Sequence, residues 1–276
     1  MGEKRIPKLG VAFGRKGVGK SYTTWKMIYD YVAGNPAKGI LPRRALILDV
    51  NDEYTHVPAL SINDVGRFSV SPYIEVRRVR TFNERTGQPM TLNEVAGALF
   101  FILENYRKGL LLIEDINVYV QDSMPGDLIG AICRNRHTEL DIILHYQSMG
   151  RITPKVWQNV NWLRFHKNTD SVDRHQGKFE DKYEYMKITE ILVNNKYKSG
   201  DQRFYAFIDV DDEKIRGDFS EAEITSAIDE YISLNQRKLV TPMTKRMDSG
   251  GKKVVKNHSE AFLKIRNDLL KAYTTF

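Results

Sequence analysis

The chain carries one cysteine, Cys133, in 276 residues. A disulfide framework is therefore excluded; the lone thiol suits a reducing interior and reads as a small buried side chain. The six histidines show no i, i+4 pairing and there is no C-x-x-C, so nothing in the sequence builds a protein-only metal cage. No stretch has the uninterrupted apolar length of a membrane span. The first eight residues do not read as a signal peptide, because Lys8 and the glycines interrupt any apolar core. They do not read as a myristoylation signal either, since Ile6 stands where Ser or Thr is needed.

Acidic excess is also missing: the net charge is +7, and it is unevenly placed. After residue 236 there are ten Lys/Arg and three Asp/Glu, which leaves 32 of each sign before it. A basic end on a neutral body points to a polyanionic partner, most simply nucleic acid. Lys252, Lys253 and Lys256 are the candidate contacts. At this length the chain fits one α/β domain with an appendage, and it can bury a sizeable core.

The most informative stretch is Gly14-Arg15-Lys16-Gly17-Val18-Gly19-Lys20-Ser21, a full G-x-x-x-x-G-K-[ST] match. Glycines let the backbone turn so tightly that successive N–H groups converge on phosphate oxygens. Lys20 would reach the β/γ-phosphates, Ser21 would ligate Mg²⁺, and the following helix, from Tyr22 onward, would present its positive end to the same anion. Context agrees. Leu9–Phe13 reads as a short buried strand, and Trp25, Ile28, Tyr29 and Val32 fall on one face of a helix that stops at Gly34. ATP and Mg²⁺ are the expected cofactors.

A second strand, 45–50, ends in Asn51-Asp52-Glu53-Tyr54. A short strand is expected at 74–80. Thr91 and Glu94 form a capping box that opens a helix with the stripe Val95, Leu99, Ile102 and Tyr106. Leu110-Leu111-Leu112-Ile113-Glu114-Asp115 is four apolar residues followed by two carboxylates, the form of a Walker B strand. The usual order is Asp then Glu, so Glu114 takes the Mg²⁺-side position and Asp115 the water-activating one. A helix is expected through 126–136, then a strand, 141–146, running into Gln147, whose amide is placed to sense a γ-phosphate. Between them lie Arg134, Arg136 and His137; Arg136, less so Arg134, is a candidate arginine finger reaching a neighbouring subunit's nucleotide. A strand at 162–166 follows.

Beyond residue 168 the chain turns polar to residue 200, with a helix expected at about 181–197. A final strand is expected at 203–210. Ser220 and Glu223 make a second capping box for a helix with Ile224, Ala227, Ile228 and Tyr231 on one face. Residues 238–257 read as a Lys-rich mobile linker, and an amphipathic helix starts at Ser259. The fold class is α/β: a mostly parallel sheet with helices on both faces and a basic helical C-terminal extension. The expected divisions are a core at 1–210 with a polar insertion at 168–200, a packing helix at 211–236, and a basic linker with its helix at 237–276.

Taken together, Lys20 and Ser21, the Asp49…Glu53 spacing, Glu114-Asp115, Arg136-His137 and Gln147 resemble the FtsK/HerA superfamily of P-loop motor ATPases. Within it the chain looks most like viral genome-packaging ATPases and Zot-like proteins, over about residues 7–167. The resemblance implies a RecA-like P-loop NTPase fold of ASCE type, with the Gln147 strand between the other two motif strands, and a homo-oligomeric ring with ATP at subunit interfaces. It implies hydrolysis coupled to translocation of double-stranded DNA, a host-cytoplasmic location, and a capsid-vertex or portal protein as docking partner. Two departures stand out: the Glu114-Asp115 inversion, and the lack of Arg-Pro after Gln147. A ParA/MinD-like switch would need a lysine where Arg15 stands, with Lys16 one step off. A small-molecule kinase would use 168–200 as a substrate lid. Asn-Lys-x-Asp for guanine and a transporter-type Leu-Ser-Gly-Gly-Gln are absent.

Overall fold

The computed structural model describes residues 6–83, 85–116 and 126–275, and leaves the side chains of Asp127, Arg136 and Glu180 undescribed. The chain divides into two compact units, Met1–Leu163 and Arg164–Phe276.

The first unit alternates strands with helices. Its strands are β1 (Leu9–Phe13), β2 (Ala45–Asp49), β3 (Val76–Arg80), β4 (Leu110–Ile113) and β5 (Asp141–Tyr146). They stand in the order β3-β2-β4-β5-β1 and each neighbouring pair is parallel. Every residue of β1, β2, β4 and β5 is buried, which is why these segments read as unbroken apolar runs. In the central register Ala45 lies beside Leu110, and Leu110 beside Asp141. All five strands end on the same edge of the sheet, where ligands of open α/β folds bind.

The helices follow their sequence signals. α1 (Lys20–Ala33) stops at Gly34, which takes a left-handed φ of 67°. α3 (Leu92–Asn105), after the short α2 (Val65–Val70), opens on the complete Thr91/Glu94 capping box, worth about 1 kcal/mol. The stripe assigned to α1 is rotated, however. Ile28 is buried, but Tyr29 is 64% exposed and Thr23 and Thr24 face inward instead. Apolar spacing alone missed this because two small hydroxyl residues occupy the core face. Gly10 has a specific cause: a Cβ there would lie 1.9 Å from the Trp162 ring, so only glycine lets β1 pass the indole.

β6 (Trp162–His166) spans the boundary between the units. In the second unit β7 (Tyr205–Asp209) and β8 (Lys214–Gly217) pair antiparallel. The expected final strand, 203–210, is thus one arm of a hairpin.

In the second unit the helix Tyr183–Lys198 buries Tyr185, Met186, Ile188, Thr189, Ile191, Leu192 and Val193. The polar stretch 168–200 therefore supplies core, and its charges are partly spent internally: Lys187 pairs with both Asp173 and Glu190 at 2.7 Å. The helix Glu221–Leu234 opens on the expected Ser220/Glu223 box. Residues 238–257 are not an unstructured linker. A helix runs from Gln236 to Lys245, Met247 bridges Lys253, and Val240 and Val255 are buried. Buried apolar side chains at that spacing anchor the segment despite its lysines. The last helix, His258–Tyr273, buries Ala261, Ile265 and Leu269 within its own unit. Arg266 makes a bidentate pair with Asp229, both bonds 2.6 Å, and the Tyr273 hydroxyl donates to Glu184 at 2.7 Å. Among the described residues no helix is long and apolar enough to cross a membrane.

Candidate functional site

Residues 14–19 link the end of β1 to the start of α1. Gly14 donates its N–H to the Tyr146 carbonyl at 3.2 Å, tying the loop to the end of β5. Gly17 and Gly19 have φ of 83° and 87°, a region that costs other L-residues energy. Gly19 caps α1 with no side-chain acceptor, and the first turn holds no acidic residue. A helix start without a side-chain cap or a nearby carboxylate suits an external anion. The Lys20 ammonium donates to the carbonyls of Gly14 at 2.7 Å and Arg15 at 3.0 Å, arching back over the loop. Val18 is buried, Arg15 half-buried and Lys16 exposed. Tyr22 is 58% exposed, with the Lys26 ammonium 4.7 Å over its ring.

Acidic groups from two other strands meet this loop. The Ser21 hydroxyl lies 2.7 Å from Glu53 Oε2 and 3.3 Å from Glu114 Oε1, donating to these carboxylates. Glu53 follows β2 and Glu114 follows β4. Burial, reinforced by the carboxylates of Glu53, Asp49 and Asp115, pushes the Glu114 carboxyl up to about 8, against a hydrogen bond from Tyr54. Burial and the charge of Glu114 in turn hold the Tyr54 phenol protonated. A divalent cation would relieve this crowding of carboxylates. The donors fit Mg²⁺, which takes one or two carboxylates and a hydroxyl beside phosphate oxygens. No set of three or more His, Cys, Asp or Glu among the described residues forms a cage independent of phosphate.

Asp115 faces the amides. Its Oδ2 accepts from Asn51 Nδ2 at 2.7 Å and from Gln147 Nε2 at 3.0 Å. Its backbone φ of 39° turns the chain sharply between the two carboxylates, so that Glu114 and Asp115 serve different sides of the site. Aspartate is among the few non-glycine residues that adopt this region readily. The other strand end supplies a fixed imidazole: His145 Nε2 is 2.7 Å from Thr24 Oγ1, and its Nδ1 is 3.7 Å from Glu114 Oε1.

The structure therefore brings Ser21, Glu53 and Glu114 together and, beside them, Asp115 and Gln147, while Lys20, next to Ser21 in the chain, arches over the glycine loop. β5 lies between β1 and β4, the arrangement expected of the Gln147 strand. Arg134 is exposed and donates to the carbonyl of Gly130 on its own helix, Gly126–Cys133, at 3.2 Å, so its visible role is that of a helix end. The Arg136 side chain lies outside the described residues. Lys252, Lys253 and Lys256 are exposed in the second unit. Sequence reasoning missed Asn51, Tyr54, His145 and Thr24. The Asn51 and Tyr54 positions had a signal, since both sit in the polar run that closes β2; His145 and Thr24 had none.

Strand order, glycine loop and acidic strand end together define the P-loop NTPase fold. No family model and no curated protein matches the sequence. Solved structures do match. The genome packaging NTPase B204 from Sulfolobus turreted icosahedral virus 2, in complex with AMPPCP, is 19% identical, with a TM-score of 0.51 over 76% of this chain and 95% of that one. Its complex with AMP gives 20% identity and a TM-score of 0.50 over 77% and 98%. The N-terminal domain of zonular occludens toxin from Neisseria meningitidis is more distant, at 11% identity and a TM-score of 0.36 over 58% of this chain and 76% of that one.

Proposed function

We propose that this chain is an ATP-hydrolysing motor subunit that acts as a homo-oligomeric ring and drives double-stranded DNA, in the manner of a genome-packaging ATPase. The observation that carries the hydrolytic part is the meeting of Ser21 with Glu53 and Glu114, at 2.7 and 3.3 Å, at the N-terminus of α1. The likeness in fold to B204, a genome packaging NTPase solved with AMPPCP, and the basic C-terminal charge support the packaging part.

In this reading the glycine-loop N–H groups bind the phosphates, and Lys20 leaves the Gly14 and Arg15 carbonyls to neutralise the β/γ oxygens. Ser21, Glu53 and Glu114 hold Mg²⁺, which when bound supplies charge neutralisation to the transferring phosphoryl group. Asp115 orients and deprotonates the attacking water, held in place by Asn51 and Gln147. Gln147 is also the group that exchanges its Asp115 bond for the γ-phosphate. Arg136 acts in trans on the neighbouring subunit's site. The host cytoplasm, and transiently a capsid vertex or its portal protein, is the place where such a subunit would work.

The test is the ATPase rate against added double-stranded DNA, alongside solution mass with a non-hydrolysable ATP analogue. A motor is stimulated by DNA and assembles beyond a dimer. Assembly that stops at a dimer would instead mark a ParA/MinD-like switch, and indifference to DNA a small-molecule kinase.

A further inference from the structure

Glu53 reaches Ser21 from a loop that buries Tyr54 and Val57 in the core, and the neighbouring strand adds a polar grip on it. Asp49, the last residue of β2, is fully buried. Its carboxylate accepts the backbone N–H of Glu53 at 2.9 Å and of Tyr54 at 3.1 Å. Those two bonds set the turn that sends the Glu53 side chain to Ser21 and the Tyr54 phenol toward Glu114. Asp49 itself is held by Arg78 of β3, whose Nη1 donates to Asp49 Oδ2 at 2.8 Å.

The same guanidinium makes two further bonds to the loop. Nη1 also donates to Asp52 Oδ1, and Nε donates to the Val57 carbonyl at 3.0 Å. The Arg78 backbone adds two more, accepting from Leu60 at 2.7 Å and donating to Pro58 at 3.1 Å. One residue thus grips the segment 49–60 at its start, middle and end. Arg78 is 7% exposed, so it is not offered to a nucleotide or to nucleic acid. Burial works against its charge, but the bonds to Asp49 and Asp52 more than offset that and keep the guanidinium protonated. Stability alone does not explain the arrangement, because a buried ion pair gains little over apolar residues of the same volume. What the pair supplies is placement: a planar fork that meets a carboxylate and a carbonyl at fixed angles, which lysine cannot reproduce.

We propose that Arg78 is the positioning residue for Glu53, holding its carboxylate at the Ser21 hydroxyl through Asp49 and the 49–60 loop. The inference rests on the reading of Ser21, Glu53 and Glu114 as the Mg²⁺ and phosphate site. It makes β3, none of whose described side chains joins that cluster directly, part of the site's supporting shell. Residues at this remove from a metal typically change affinity or activity about 10- to 100-fold.

The test compares Arg78→Lys, Glu53→Gln and the double variant, each checked for native circular dichroism. Arg78→Lys is expected to lower kcat by about 10- to 100-fold and to raise the Mg²⁺ concentration that half-saturates ADP binding in calorimetry. ADP affinity without metal should stay within about twofold. The double variant should be little slower than Glu53→Gln alone, because Arg78 acts mainly through that carboxylate and only secondarily through Tyr54. An equal loss of metal-free ADP affinity, or independent losses that multiply in the double variant, would overturn the proposal. Should Arg78→Lys not fold, Asp52→Asn removes one grip at a partly exposed carboxylate and should shift the Mg²⁺ midpoint in the same direction; an unchanged midpoint counts against the clamp. Normal hydrolysis by Glu53→Gln and Lys20→Ala would be a separate failure, that of the site itself.

Discussion

The hydroxyl of Ser21 and the carboxylate of Glu114 lie 3.3 Å apart although 93 residues separate them in the chain. The sheet makes this meeting. β5 sits between β1 and β4, so the loop after β1 and the turn after β4 open on the same edge with room between them. Lys20, one residue before Ser21, is the cation nearest that pair in sequence. Lys20→Ala is expected to remove ATP turnover, by at least about 100-fold given the usual worth of one preorganised charge. Steady-state phosphate release checks this. Retention of wild-type turnover would separate the glycine loop from the chemistry.

A second expectation concerns pH. The Glu114 carboxyl, ordinarily at 4.5, is pushed up to about 8 by burial and by Glu53, Asp49 and Asp115. The folded chain therefore keeps a proton that the unfolded chain has already released. The stability this contributes is fully present below about 4.5 and is lost as pH rises toward 8. Thermal unfolding without metal should show wild-type Tm falling across that window relative to Glu114→Gln, which cannot titrate. Parallel Tm curves for the two proteins would contradict the assignment.

Much of this site was legible in the sequence because its chemistry is local. The glycine-bearing run at residues 14–20 and the four apolar residues before Glu114 each specify their own geometry, and the fold sets them side by side. The contribution of Glu53 was only half legible. Its spacing from Asp49 was visible, but that Asp49 caps the turn, and that Arg78 holds Asp49, depends on the β2–β3 register, in which Ile47 faces Arg78. His145 was hidden for a similar reason: inside an apolar strand nothing distinguishes an imidazole aimed at Glu114 from a satisfied core histidine. The C-terminal region misled in the opposite direction. Lysine and glycine between 238 and 257 outweighed Val240 and Val255 in the reading, yet those two buried side chains tie the segment down.

Arg136 is a test of assembly rather than of one subunit. Arg136→Ala should bind ATP normally yet lose hydrolysis by about 10³-fold or more, the usual worth of an arginine finger. Mixing it with Lys20→Ala should restore part of the rate, since some mixed interfaces then combine an intact loop with an intact arginine. Normal hydrolysis by Arg136→Ala at saturating protein would show that the residue does not act in trans. The mixing experiment also separates it from Arg134, whose guanidinium is already bonded to its own helix at Gly130.

The packing of the last helix decides how the basic end must be probed. Deleting residues 237–276 would remove the partner of Asp229 and the Tyr273 hydroxyl that Glu184 accepts from, along with the buried Ile265 and Leu269. A loss of DNA binding after such a truncation would be uninterpretable, because the second unit would lose part of its core. Exchanging Lys252, Lys253 and Lys256 for glutamine keeps that core, since all three are exposed. If they neutralise backbone phosphates, each contact removed should flatten the slope of log affinity against log salt by about 0.9, so the triple variant should lose up to roughly 3. Fluorescence anisotropy with a short duplex across a salt series reads the slope directly. An unchanged slope with weakened affinity would move the DNA contacts off these lysines, and an unchanged slope with unchanged affinity would assign this basic segment to protein contacts instead.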